Sequence, residues 1–295
     1  MSSPIKIRLD SNIMREPQRL RDMGNLAAGI GLDVLLWGAW NNSTLGLLHV
    51  PDFCEMFGYQ RKHLLRPVDD KKKVRLGKVL KTPEHLENLG NSLGWTLLAM
   101  SKYNLVFYTN AQGRIPLNLS KKTKDCRYQS LTLLESLDPD TCIKKHKTGT
   151  LATVEFSERF IYNCREFYQE VDLTDYLSLK TAAGHADDQA RRMYLHMTWR
   201  RQLWDGMPVP KGYDPSKPEY DELLSVAGLA FTDPKQNAAR LRALLKRVCV
   251  LPTVKLTATI THKPAIDRYE VLLAKDGGRI RPKRQKREKQ PKLAL

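Results

Sequence analysis

One octet occurs twice in this chain, and it restricts the fold more than any other feature. Asp52-Phe53-Cys54-Glu55-Met56-Phe57-Gly58-Tyr59 and Glu222-Leu223-Leu224-Ser225-Val226-Ala227-Gly228-Leu229 share one grammar: acid, apolar, two free positions, apolar, apolar or small, glycine, apolar. An acid suits the first turn of a helix, where backbone N–H groups lack partners, and a glycine suits the left-handed residue that closes the last turn. Each octet follows a long segment with two tryptophans, Val34 to Trp40 and Ala190 to Trp204. Each precedes a basic segment, Arg61-Lys62-His63-Leu64-Leu65-Arg66 in the first half and Lys235 to Arg247 in the second. Helix, glycine turn, second helix is the outline of a helix-turn-helix unit.

Strand-like material comes after each copy. Tyr103 to Thr109 and Arg114 to Leu119 come after the first; Thr253 to Thr261 and Arg268 to Leu273 come after the second. In the latter, Val254, Leu256, Ala258 and Ile260 alternate with polar residues, as a half-buried strand requires. A strand pair after a helix-turn-helix makes a winged helix, so the expected fold class is α+β with tandem winged-helix domains. The expected division is an N-terminal winged-helix domain over 1–149, a C-terminal winged-helix DNA-binding domain over 150–275 and a flexible basic tail over 276–295. Gly206 to Pro218, rich in Gly, Pro and Lys, reads as an exposed loop.

Lys235 to Val250 is the candidate reading helix. At 100° per residue, Ala238, Leu241, Leu245 and Val248 form one stripe with Leu244 at its border, while Gln236, Ala239, Arg240, Ala243 and Arg247 lie opposite. Lys235, Arg242 and Lys246 flank the stripe, and no acidic residue interrupts the segment. Thr232-Asp233-Pro234 supplies a cap residue and a proline for the first turn. Small Ala239 and Ala243 let the backbone approach a major-groove floor, with Gln236 and Arg240 suited to adenine and guanine edges and Lys246 and Arg247 to phosphate. In the shorter first copy, Arg61, Lys62 and Arg66 are the candidate phosphate contacts. Arg200 and Arg201, set between Trp199 and Trp204, are assigned to packing, on an amphipathic helix whose aromatic side faces inward.

The charge points the same way. The 295 residues carry 49 Lys and Arg against 32 Asp and Glu, a formal +17, which favours polyanionic partners. Nine Lys or Arg fall between Lys275 and Lys292, and the glycines and prolines among them forbid a regular helix; Lys283, Arg284, Lys286 and Arg287 are the tail's candidate DNA contacts. Five cysteines without a C-x-x-C pair suit reduced thiols in a cytoplasm rather than a disulfide scaffold. The most apolar stretch, Leu26 to Trp40, is too short to span a bilayer and holds Asp33 at its centre. No membrane association is expected.

Catalytic constellations are missing. There is no G-x-x-x-x-G-K-[ST] loop and no His-x-His pair, and Pro51-Asp52 with Asp70-Lys71-Lys72 mimics a metal-nuclease motif only where the first helix-turn-helix and its charge run are expected. Cys126, Cys142 and His146 lack the spacing of a zinc knuckle. The expectation is a binding protein, not an enzyme, with no cofactor and no metal.

Three further passages carry a family resemblance. Val154-Glu155-Phe156-Ser157, then Val171-Asp172-Leu173-Thr174-Asp175-Tyr176-Leu177-Ser178-Leu179-Lys180, then Ala190-Arg191-Arg192-Met193-Tyr194-Leu195 resemble the opening of the second winged-helix domain of plasmid replication initiators of the Rep, RepA and TrfA type. The resemblance covers roughly Thr150 to Leu273. The insert Gly184-His185-Ala186-Asp187-Asp188 lengthens the spacing of the family pattern, and the basic tail lies outside it. It implies a bacterial, plasmid-associated cytoplasmic protein that binds repeated origin sites (iterons) in double-stranded DNA and promotes origin opening. It also implies recruitment of a host initiator and replicative helicase, and a homodimer. A winged-helix transcriptional repressor shares every groove-facing feature and is the alternative; an RNA-binding protein is the third reading.

Overall fold

The computed structural model describes residues 5–23, 27–66, 91–102, 104–109, 127–136, 143–146, 149–181, 186–206, 214–229, 233–264 and 268–275. Helix and strand are mixed throughout, as an α+β chain requires. The two octets fold alike. Helix α3 (Val50–Phe57) takes Asp52 in its first turn and ends at Gly58, φ 73°; α9 (Tyr220–Ala227) takes Asp221 and Glu222 and ends at Gly228, φ 69°. The helices after the two turns differ in length. Helix α4 (Arg61–Leu64) is one turn, whereas α10 (Pro234–Cys249) runs sixteen residues from an Asp233 cap and Pro234 in its first turn.

The second unit closes as expected. Strands β9 (Leu256–Lys263) and β10 (Arg268–Lys275) form an antiparallel hairpin with Val271 opposite Ile260. The first strand starts three residues later than its alternation suggests, because Leu251 to Val254 turns and Lys255 takes a positive φ of 45°. In the first unit the partner is different. Strand β3 (Asn104–Thr109) pairs with β4 (Arg127–Thr132); the expected partner, residues 114–119, lies outside the described residues. Local alternation identifies a strand but not its mate, which is a long-range choice.

Pairing also crosses the line drawn after residue 149. Strand β7 (Gly149–Phe156) lies between β2 (Leu45–His49) on one side and β5 (Leu134–Ser136) and β6 (Ile143–His146) on the other. Strand β1 (Lys6–Asp10), at the start of the chain, pairs with β8 (Tyr168–Asp172), bringing buried Ile7 opposite buried Val171. Between these strands sit α1 (Ser11–Arg15), a 3₁₀ segment (Pro17–Met23), a π-helical turn (Ala27–Gly31), α2 (Leu32–Asn41) and α5 (Ser92–Lys102). The resembling passages run on from β7 in order. Ser157 caps α6 (Glu158–Glu166), Asp172 caps α7 (Leu173–Ser178) and Asp187 caps α8 (Asp188–Asp205).

Helix α8 packs against α1, β8, α9 and α10 (Pro234–Cys249). From Ala190 to Arg200 every residue is buried, including Arg191, Arg192, His196 and Arg200, so the segment is not the one-sided amphipathic helix its tryptophans suggest. A buried charge must bring its partner. Arg200 donates to Glu222 of α9 and to His196 Nε2; His196 Nδ1 lies 2.7 Å from the Arg15 carbonyl. The packing role expected of Arg200 therefore holds, through ions as well as apolar contact. Lys275 belongs to β10 rather than to a tail: it pairs with Asp205 at 2.6 Å, over the Trp204 ring.

Candidate nucleic-acid interface

Helix α10 divides as its periodicity demands. Asn237, Ala238, Leu241, Leu244, Leu245, Val248 and Cys249 are buried, while Lys235, Gln236, Ala239, Arg240, Arg242, Ala243, Lys246 and Arg247 are exposed. The buried stripe fixes the helix against α8, α9 and β9. Asp233 accepts the Lys235 N–H at 2.8 Å, which settles one of the helix's open donors. The exposed face carries two alanines among long cationic and amide side chains and no carboxylate, so both shape and charge suit an anionic duplex.

Two of the named cations also hold structure. Arg242 Nη2 donates to the Ile260 carbonyl at 3.1 Å, tying α10 to the hairpin. Arg247 Nη1 meets Asp187 at 2.7 Å and its Nη2 donates to the Lys180 carbonyl at 2.8 Å, so this side chain anchors the end of α10 to the cap of α8. The wheel sets Arg247 opposite the buried stripe and Arg242 at its flank, but partners 18 and 60 residues away cannot be read from it. Lys235, Gln236, Arg240 and Lys246 are exposed beside them.

In the first unit Arg61, Lys62 and Arg66 are exposed around the single turn of α4. Four residues present little surface to a groove, so the unit suits phosphate contact better than base reading. Residues 67–90, with the Lys71-Lys72-Lys73 run, and the tail residues Lys283, Arg284, Lys286 and Arg287 lie outside the described residues. Cys126 and Cys142 also lie outside them. Pro51 and Asp52 of the nuclease-like motif sit in the first turn of α3, where Asp52 pairs with His49.

The hairpin adds groups that the sequence did not nominate. His262, Lys263 and Arg268 are exposed at the end where β9 connects to β10, with Lys263 paired to Glu270 at 2.6 Å. Tyr269 stacks on Tyr220 of α9, ring centroids 4.9 Å apart, and meets His262 at 4.9 Å across the strands. Alternation alone places Thr261 and Lys263 on one face; which strand residue opposes which needed the register.

Beneath both units lies a buried polar node. Asp33 of α2 accepts the hydroxyls of Tyr59 and Tyr176, each at 2.6 Å, and Arg191 Nη1 at 2.8 Å. Burial pushes the Asp33 carboxyl up, and Arg191 with the two hydroxyls pulls it back. Burial works against the Arg191 cation, yet Asp33 together with Tyr176, Tyr59 and Asp188 outweighs it and holds the guanidinium above its ordinary value.

No protein-family model matches the chain, and no curated protein matches it. Among solved structures it is similar to the Pi initiator protein crystallised in complex with iteron DNA, at 10% sequence identity and a TM-score of 0.46, over 92% of this chain and 97% of that one. Among the described residues no helix is long and apolar enough to cross a membrane.

Proposed function

We propose that this chain is a duplex-DNA-binding replication initiator that recognises repeated origin sites and acts through binding energy rather than through a catalytic centre. The observation that carries DNA binding is the exposed face of α10, where Lys235, Gln236, Arg240 and Lys246 surround Ala239 and Ala243 and no acid intervenes. The initiator role rests on the Val154, Val171 and Ala190 passages, whose order of strand and helix leads into the second helix-turn-helix. Opening of adjacent DNA and recruitment of host replication proteins belong to the same reading.

Phosphate contacts dominate the affinity of such a protein, and a few groove contacts set its specificity. Footprinting on fragments of the encoding replicon, with random duplex as competitor at two salt concentrations, tests it. Protection of evenly spaced direct repeats, weakening steeply with salt, is the expected result. Replacing Arg240 with alanine should reduce the preference for the protected site over random duplex by ~1–3 kcal/mol. A single inverted repeat at a promoter would make the chain a repressor. Binding without sequence preference would overturn the assignment.

A further inference from the structure

Consecutive arginines of α8 reach the same position in both octets. Arg191 Nη2 donates to the carbonyl of Phe57 at 3.4 Å, and Phe57 is the residue before Gly58. Arg192 Nη2 donates to the carbonyl of Ala227 at 3.3 Å, the residue before Gly228, and its Nε donates to Val226 at 3.1 Å. The last carbonyls of a helix have no partner inside it and attract cations. Neighbouring residues on a helix point about 100° apart, so one buried dipeptide can reach a unit on either side.

The first turn is held twice. Arg191 is fixed by Asp33, and Asp33 also takes the hydroxyl of Tyr59, the residue after Gly58. The second turn is closed from a further direction, because the Arg21 guanidinium lies where a Cβ on Gly228 would stand. Neither Arg191 nor Arg192 reaches solvent, at 1% and 4% exposure. Neither can touch DNA.

We infer that Arg191 and Arg192 are positioning residues that hold the two helix-turn-helix units at a fixed separation and rotation, so that the phosphates gripped by Arg61, Lys62 and Arg66 lie at a fixed offset from the bases read by α10. The ligand class is one duplex site with two parts in strict register. This rests on the proposed binding of duplex DNA. Inserting one base pair between the parts moves them about 3.4 Å and rotates them about 34°, which a rigid pair cannot follow.

The probe is the tightest duplex that the full-length protein enriches from a randomised pool, together with versions carrying one or two base pairs inserted between the segments that footprinting assigns to each unit. For the wild-type protein each insertion should weaken binding by about tenfold, through lost phosphate contacts. Arg191→Lys and Arg192→Lys keep the charge but lose the planar fork, and each should bring that penalty down to about twofold. The penalty is a ratio within one protein, so a general loss of stability does not mimic the change. Tyr59→Phe, which removes one hydroxyl and keeps the ring, should lower the penalty too and serves where a lysine variant fails to fold. Enrichment of a duplex whose insertions are tolerated by the wild type, or a penalty unchanged in the folded variants, overturns the inference alone. Failure to enrich any duplex overturns the DNA-binding reading and the inference with it.

Discussion

The two turn glycines occupy the same backbone region but different surroundings, and this separates their substitutions. Gly58 and Gly228 have φ of 73° and 69°, where an alanine costs about 1–2 kcal/mol in either position. A Cβ on Gly58 meets nothing within 4 Å, whereas one on Gly228 overlaps the Arg21 guanidinium. Gly58→Ala should therefore lower stability by the conformational cost alone, and Gly228→Ala by that cost plus the contact given up when the exposed Arg21 side chain swings aside, read from denaturant midpoints; equal losses would show that Arg21 moves aside freely. The glycines were legible because the octet states its own turn. Arg191 and Arg192 were not, since a basic pair in a helical segment reads as surface, and only the surrounding elements reveal that α8 is buried on all sides from Ala190 to Arg200.

Asp10 gives a second prediction at the same scale. Burial pushes its carboxyl up to about 6, while Asn163, the Asn12 N–H and Arg159 pull the other way. The native protein thus keeps a proton that the unfolded chain has released near 3.8, so this group's contribution is complete at low pH and is lost as pH rises towards 6. His196 runs oppositely: burial lowers it to about 4 against the pull of Glu222, so its contribution is present above 6.5 and lost on acidification. The two slopes offset each other across the same window. Replacing Asp10 with asparagine should remove one of them, and the variant should gain on the wild type by about 3 kcal/mol between about pH 4 and pH 7. Urea midpoints that move in parallel for the two proteins would refute the assignment of that proton.

At the level of elements, legibility tracked how local the causes are. Helix α10 was readable almost residue by residue, because its cap, its proline and its stripe all lie within the segment itself. The β9–β10 hairpin was readable for the same reason, apart from a start delayed by the turn at Lys255. The mate of β3 was not, since residues 127–132 carry no signal that ties them to 104–109. The dependence of α10 on its own cap can be tested directly. Asp233→Ala should cost about 1 kcal/mol and fray the N-terminal turn that carries Lys235 and Gln236. Amide exchange should quicken at Lys235 and Asn237, whose N–H groups bond to Asp233, and stay unchanged near Val248. Uniform acceleration along α10 would mean that the tertiary stripe, not the cap, governs the whole helix.

Across the whole molecule the sequence reads as two successive halves, yet the structure is laced across their boundary. Doubled grammar suggests a doubled domain because each unit's turn, helix and strands lie close in sequence. What joins the halves is distant: β1 lends β8 its only partner among the described strands, Asp10 accepts from Asn163 at 2.8 Å, and Asp33 binds Arg191 at 2.8 Å. A fragment spanning 150–275 would leave the edge of β8 open, separate β7 from β2, and leave Arg191 buried without the carboxylate that balances it. An uncompensated buried charge alone costs about 3–5 kcal/mol, a large share of the ~5–15 kcal/mol that stabilises a typical domain. The fragment should therefore lack the dispersed amide spectrum of a folded domain, and adding residues 5–66 as a separate chain should restore it. A cooperative melt of the fragment by itself would show that the boundary after residue 149 is a true domain border and that the lacing is dispensable.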